Sequence, residues 1–265
     1  MNPLAVSALA MLPDDASVLD CGAWFKPLPR ATHVLDLMPY ETREGRLQLA
    51  PQPGERFTKS SWFQVDFLSA DLRLPFPDAY FSFCHCSHTL EDLAEPEPLL
   101  NEMRRVSRSG LLVAPSRLLE QTAGIRDRIT SRRGHPHHHW ILDTMAGRTV
   151  FAHKGDSLDG AWWRTTVPLF LTERIRSGSP AANDWIFPWV GSFEWEFLSG
   201  PPAGTLAEDF ARRLGSNPRL LALDWLWRQL RRLKHAYRRR NEQPLADWWQ
   251  QMIRLSQPFS SLPLK

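Results

Sequence analysis

Three groups of residues in this chain have types and spacings suited to chemistry. In the first, Val18-Leu19-Asp20-Cys21-Gly22-Ala23 joins an apolar run to an acid and a glycine, and Asp36 closes the next apolar run. In an open α/β sheet, ligands sit outside the carboxyl ends of the strands. A glycine there lets the backbone approach a ligand, and an acid ending the second strand can accept both hydroxyl protons of a ribose. Taken alone, the same residues read more readily as a strand, a tight turn and a solvated carboxylate. The second group is Pro115-Ser116-Arg117-Leu118-Leu119-Glu120, followed by His135, His137, His138, His139 and Trp140. Histidine titrates near neutrality and accepts a proton from a hydroxyl nucleophile. Proton transfer or substrate contact ranks first for this group, and a polar loop packed on tryptophan close behind. A metal ranks last, because no matched Cys or carboxylate pair accompanies the histidines, and none is expected. The third group is a basic stretch, Arg228, Arg231, Arg232, Lys234, Arg238, Arg239 and Arg240, interleaved with Trp225, Trp227 and Tyr237. Such a helix binds RNA, anionic lipid or a partner, or simply packs its apolar face and leaves its arginines in solvent. The solvated reading is favoured.

These residues need elements to position them. Short runs apolar throughout, at 17–20, 33–37, 62–66, 80–86 and 111–114, read as parallel strands covered on both faces. Leu99, Leu100, Met103 and Val106 share one face of a helix over about 96–108, stopped by Gly110. Residues 21–31, with prolines at 27 and 29, are too few for an ordinary crossover and predict an extended loop with at most one helical turn. The polar stretch 38–61 reads as a long surface loop. Ser116 is placed to cap a helix through about Ser131. Residues 140–143 and 148–153 read as a hairpin around Ala146-Gly147. Residues 154–204 carry no clear periodicity. Over 218–240 an amphipathic helix is expected, with Leu220, Leu223, Trp227, Leu230 and Leu233 along one side, and a shorter helix follows Pro244 through about Leu255.

The chain has 265 residues, 43% hydrophobic and 23% charged, enough for a domain with a sizeable core plus a smaller lobe. No apolar run reaches the length of a membrane span, and residues 1–11 lack the basic start of a leader. The three cysteines, Cys21, Cys84 and Cys86, make neither a CxxC nor an even disulfide framework, which suits a reducing cytoplasm. A net charge of +3 does not by itself argue for nucleic acid. Most of the twelve tryptophans fall from Trp140 onward. The expected organisation is a core over residues 1–155 and a C-terminal lobe over 156–265 that covers the strand ends and carries the basic helix.

Leu74-Pro75-Phe76-Pro77-Asp78-Ala79-Tyr80-Phe81-Ser82 precedes the fourth strand, and Ser87-His88-Thr89-Leu90-Glu91-Asp92 follows it. Pro98-Leu99-Leu100-Asn101-Glu102-Met103-Arg104-Arg105-Val106 and Gly110-Leu111-Leu112 come next. In order and spacing over residues 17–115, this series resembles the class I S-adenosylmethionine (SAM)-dependent methyltransferase family of the type 11 kind. The resemblance implies an α/β, Rossmann-like doubly wound sheet, here with a Trp-rich, partly helical C-terminal lobe. It implies S-adenosyl-L-methionine as cofactor, with Asp20, Gly22 and Ala23 near its methionine moiety and Asp36 and Leu37 at its ribose. Asp66 and Phe67 fall at the adenine, with Asp71 as a rival, and Cys86 and Ser87 line the pocket. Trp24 stands where the pattern has its second glycine, and Ser82 where it has an acid. Lys26-Pro27-Leu28-Pro29 is similar to the short loop of one subgroup. The Pro115–Glu120 segment and the later His-His-x-Trp resemble those of another, which implies that they lie near the substrate.

The acid–base candidates are accordingly His138, His139 and Glu120, with His88 behind them. The expected function is SAM-dependent methyl transfer to an O or N of a small molecule, a saccharide or a natural-product intermediate. The alternatives are a non-catalytic relative serving as a binding or scaffold protein, which Trp24 supports, and an RNA methyltransferase, which the basic helix supports. The sequence does not assign an oligomeric state.

Overall fold

Strands buried on both faces need no polar alternation, and the computed structural model shows such strands through the first half of the chain. It describes residues 3–24, 26–43, 53–126, 128, 130–159, 161–199 and 201–238. After α1 (Pro3–Ala10) come β1 (Val18–Cys21), β2 (His33–Asp36), β3 (Trp62–Gln64), β4 (Phe83–Ser87), α2 (Glu97–Val106) and β5 (Ser109–Pro115). The pairs β1–β2, β2–β3, β1–β4 and β4–β5 are all parallel. Helix α2 buries Leu99, Leu100, Met103 and Val106, the face its spacing predicts.

The crossing from β1 to β2 contains no helix among the described residues, as its length and prolines require. Turns close it: Leu28 N donates to Asp20 Oδ2 at 2.7 Å, and Ala31 N to Leu28 O at 2.9 Å. The stretch 38–61 departs from the expected surface loop. Arg43 is only 1% exposed and forms a bidentate pair with Glu55, Nη2–Oε1 2.6 Å. Its guanidinium lies over the rings of Phe57 and Trp62 at 5.0 and 5.4 Å, and Phe57 is itself buried. A buried cation is tolerated when a carboxylate and aromatic faces replace its water. The rest of that stretch, 44–52, lies outside the described residues.

From Ser116 the chain runs through α3 (Arg117–Glu120), β6 (Trp140–Met145), β7 (Arg148–His153), α4 (Lys154–Leu158), α5 (Trp162–Thr165) and α6 (Leu169–Gly178). Then come β8 (Asp184–Val190), β9 (Trp195–Leu198), α7 (Pro201–Arg213) and α8 (Pro218–Arg238). Strand β8 completes a six-stranded sheet ordered β3-β2-β1-β4-β5-β8, and β6-β7-β9 form a second. The first sheet is the Rossmann-like sheet of an α/β fold. The β6–β7 hairpin turns at Ala146 and Gly147, both at positive φ (49° and 79°), as a two-residue turn of this hand requires.

The helix expected over 116–131 is a correction: it ends after one turn. Thr122 and Ala123 instead form isolated bridges with Val167 and Arg133. Gln121, fully buried, donates from Nε2 to the carbonyls of Thr165 and Ala207, both at 2.9 Å. Gly124 then turns the chain at φ 73°.

The chain divides into two compact units, Met1–Val113 with Ile186–Phe193, and Ala114–Trp185 with Glu194–Glu242. The sequence drew its boundary at residue 155, inside the second of these. Residues 114–155 belong with the later elements because β7 pairs with β9, and Gln121 reaches α7 at Ala207.

Helix α8 is present but faces the other way. Leu223, Leu230 and Leu233, expected to pack, are 59–73% exposed, whereas Leu221, Asp224 and Arg228 are buried. The Arg228 Nε–Asp224 Oδ2 pair, at 3.0 Å, is wholly enclosed, and Arg228 also donates to Thr130 O. Arg228 is thus not the solvated arginine expected of it. Arg239, Arg240 and the helix after Pro244 lie outside the described residues. No helix among the described residues is long and apolar enough to cross a membrane.

Candidate active site

Strand β1 lies between β2 and β4, so the chain leaves it in opposite directions along the sheet. Such a switch point opens a crevice at the carboxyl ends of the strands. Gly22 follows β1 there at φ 68°, and a Cβ on it would stand 1.9 Å from Thr89 Oγ1. Thr89 donates to Gly22 O and shares its hydroxyl with Ser87 O, both at 3.3 Å, tying the ends of β1 and β4 together. Only glycine fits both the backbone conformation and the close approach of Thr89. Ala23 is buried beside it, and Leu37, half-buried after β2, accepts from Gln64 Nε2 through its carbonyl at 2.9 Å.

Asp36, at the end of β2, is buried, and no cation pairs with it among the described residues. Met38 N donates to Oδ1 and Trp24 N to Oδ2, each at 2.8 Å. Burial pushes its carboxyl pKa up to about 7; the amide hydrogen bonds pull the other way, and the charge of Asp20 adds to the rise. The Leu37 amide also bonds to this carboxyl.

Asp20 is committed differently. Its Oδ2 takes Leu28 N, and its Oδ1 lies 2.7 Å from His85 Nδ1, so both oxygens hold the protein together. The indole of Trp24 donates to Thr42 Oγ1 at 2.8 Å and packs against the cluster containing Val18, Leu28, Val34 and Trp62. Its backbone amide supports Asp36 while its ring anchors the loop after β2. After β3, Asp66 Oδ1 accepts from Leu68 N at 2.9 Å and Phe67 is buried, while its rival Asp71 is exposed. Cys86 is buried, and its thiol pKa is pushed well above the ordinary value by burial and then by Cys84, Glu91 and Asp20.

The sequence reading missed Glu91. It is 1% exposed, neither oxygen meets a hydrogen-bond donor among the described residues, and His88 Nδ1 lies 3.5 Å from Oε1. His88 itself is half-exposed at φ 54°, a conformation uncommon outside glycine. The three-residue spacing of His88 and Glu91 was the available signal. Asp20, Asp36 and Glu91 thus place three buried carboxyl groups at this edge of the sheet. SAM carries a sulfonium, an ammonium and a ribose diol, and these residues suit it: Asp36 for the diol, the acidic surroundings for the cations.

In the second unit, Glu120 and His138 come together, as neither spacing nor order foretold. His138 Nδ1 lies 2.8 Å from Glu120 Oε1, and Lys154 Nζ 2.7 Å from Oε2. Burial alone would raise the Glu120 carboxyl; the hydrogen bond from His138 and the charge of Lys154 outweigh it and hold the pKa below the ordinary value. His138 and His139 line a cleft of about 420 Å³ with Arg132, Arg133, Lys154 and Trp162. One ring nitrogen from each of His135, His137 and His138 lies within 4.8 Å of the others. The histidine pKa values at 135, 137 and 139 are lowered, chiefly by burial, that of His137 to about 4.

Residues 22–114 match the family described as a methyltransferase domain. No curated protein matches the chain. Among solved structures it is similar to a SAM-dependent methyltransferase from Aquifex aeolicus, at 18% identity and a TM-score of 0.31, over 44% of this chain and 65% of that one. It is also similar to an S-adenosylmethionine-dependent methyltransferase from Mesorhizobium loti, at 14% identity and a TM-score of 0.33, over 78% of each chain. The family match spans β1's closing turn through β5, the stretch that carries Gly22, Asp36 and Ser87, and residues 22–114 match a methyltransferase domain.

Proposed function

We propose that the whole chain transfers the methyl group of SAM to an oxygen or nitrogen of a small molecule, with a saccharide or a natural-product intermediate as the substrate classes. The observation that carries this is Asp36: a buried carboxylate at the end of β2, supported by backbone amides on both oxygens and lying at the crevice edge of the sheet. Bound there, SAM supplies an electrophilic methyl on a sulfonium. The chain's part is to hold the acceptor in line with that methyl, and positioning alone is worth about 7–11 kcal/mol. Gly22 and Thr89 set the floor of the site, Phe67 and Leu37 offer apolar surface to the base, and Asp20 fixes the loop that Trp24 closes.

Of the acid–base candidates, His88 is the one within this domain, and we assign it the acceptor's proton. Its Nδ1 lies 3.5 Å from Glu91 Oε1, and a histidine is suited to proton transfer near neutral pH. His138, His139 and Glu120 belong to the second unit. Three buried, unpaired cysteines are in keeping with a cytoplasmic setting.

Titration calorimetry with SAM tests the reading. One molecule should bind per chain, and Asp36→Ala should weaken it strongly, since each lost hydrogen bond to a charged group is worth roughly 1.5–3 kcal/mol. A chain that binds no SAM is not an enzyme of this class, and the scaffold alternative would then stand.

A further inference from the structure

We propose that His135, His137 and His138 form a binding site for a divalent transition metal, with Glu120 as the carboxylate that orients His138. The site is independent of the cofactor reading, since all four residues lie in the second unit. One nitrogen from each imidazole already lies within 4.8 Å of the other two. Metal–imidazole bonds are ~2.0–2.1 Å, so two ligands of one tetrahedral ion stand about 3.3 Å apart. Small rotations of the rings close the difference. The rings converge: the centroid of His138 is 4.8 Å from that of His135 and 4.5 Å from that of His137.

The strongest observation is the bond on the far side of His138. Its Nδ1 faces Glu120 Oε1 at 2.8 Å, and the carboxylate, an acceptor, places the ring proton on Nδ1. Nε2 then carries the lone pair and is the atom proposed to ligate. Metal-bound histidines are commonly held in this manner by a carboxylate. The sequence ranked a metal last because no matched Cys or carboxylate pair accompanies the histidines as ligands; the fold adds a carboxylate from α3 in another role, as the orienting group. Lys154 is paired with Glu120 Oε2 at 2.7 Å, and its charge and that of Arg126 favour the neutral, ligating form of His135 and His137 while also repelling a dication.

The backbone is pinned on both sides of the ligands. Gly134 N donates to Thr122 O at 3.0 Å, His138 N to His135 O at 3.2 Å, and Lys154 N to His139 O at 2.8 Å. Gly134 sits against Glu120 so closely that a Cβ would stand 2.3 Å from Oε2. Three imidazoles select zinc, cobalt, nickel or copper over magnesium or calcium. They also leave a fourth coordination position for water or a substrate oxygen.

The test uses the untagged full chain, stripped of metal by chelation and free of SAM. Zinc(II) is titrated by calorimetry, and cobalt(II) by its visible absorption. The expected result is one ion per chain and the intense bands of low-coordinate cobalt. His137→Ala, at an exposed ring, should abolish those bands. Glu120→Gln should weaken binding by roughly 10–100-fold. His139→Ala should leave both readouts unchanged. Absence of one-to-one binding, or a His137→Ala chain that binds as tightly as the wild type, overturns the proposal. If Glu120→Gln fails to fold by circular dichroism, His137→Ala against His139→Ala decides alone. SAM affinity measured on the same variants separates failure here from failure of the methyltransferase reading.

Discussion

Acidification should loosen the cofactor through one residue, Asp36, whose carboxyl titrates at about 7 in the protein without SAM. Only the ionised form accepts from both ribose hydroxyls. Two such bonds at roughly 1.5–3 kcal/mol each would lower the bound-state pKa by about 2–4 units, since one unit is about 1.36 kcal/mol. Between the bound and free values, binding must release a proton. With a free pKa of about 7, the carboxyl is about nine-tenths ionised at pH 8 and about one-tenth at pH 6, so affinity should fall about tenfold across that interval. Asp36→Asn keeps the shape, binds more weakly at pH 8 and should lose this slope. The amino group of SAM titrates at about 8 in both experiments and cancels in the comparison. Calorimetry at pH 6, 7 and 8, in two buffers of different ionisation enthalpy, reads affinity and proton release together. Parallel pH profiles for the two proteins would refute the assignment of Asp36 to the ribose. The same shift has a consequence without cofactor. A folded pKa of about 7 against 3.8 means that the folded state holds the proton more tightly. Its contribution is therefore greatest below pH 4 and is lost as the pH rises through 7, by about 4 kcal/mol in all. Asp36→Asn should flatten that loss in urea unfolding over pH 4–7.

Gly22→Ala should cost about 2–4 kcal/mol in chemical unfolding, part from φ 68° and part from the clash with Thr89. In a Thr89→Ala background about half should return; a full cost there would mean the backbone alone demands glycine. Asp224→Ala strands Arg228 as a buried charge and should cost about 3–5 kcal/mol, while Asp224→Ala with Arg228→Met should cost clearly less. Equal losses would show that the pair is not the source of the effect. His88→Ala should leave SAM affinity unchanged by calorimetry and lower turnover by roughly 10²–10⁴-fold on any acceptor the chain methylates. Unchanged turnover removes His88 from the acid–base role.

The strands of the first unit were legible because burial on both faces leaves an unmixed apolar run, and the ligand-facing residues are those that close each run. Asp36, Gly22 and Ser87 stand at the ends of such runs, where the structure also puts them. The role of Trp24 was not legible. Its position, where the pattern has a glycine, supported the scaffold alternative; the structure uses its amide on Asp36 and its indole on Thr42, a partner 18 residues away. Arg43 was lost for a related reason: a polar residue in a polar stretch reads as solvated until Glu55 and two aromatic rings enclose it. The turn at Gln121 likewise depends on carbonyls 44 and 86 residues downstream, which no local pattern displays.

Helix α8 shows where periodicity misleads. Leu223, Leu226, Leu230 and Leu233 recur at three- and four-residue intervals and make a better apolar stripe than any other in the helix, yet they are all exposed. The buried side carries Leu221, Asp224 and Arg228, spaced three and four apart as well. Spacing identifies a helix and its faces; it does not rank a charged face against an apolar one. The ranking here comes from partners outside the helix. Asp224 accepts from Phe170 N, and Arg228 donates to Thr130 O, so the ion pair has partners beyond its own. Burial still outweighs them at Asp224, whose carboxyl pKa is raised, and Arg228 Nη2 has no hydrogen-bond partner among the described residues. A buried pair on this face is therefore visible only once its partners on other elements are known, since desolvation alone costs several kcal/mol per ion. The histidine segment is alike in drawing a partner from elsewhere: Glu120, from a helix cut short by Gln121, lies 2.8 Å from His138 Nδ1.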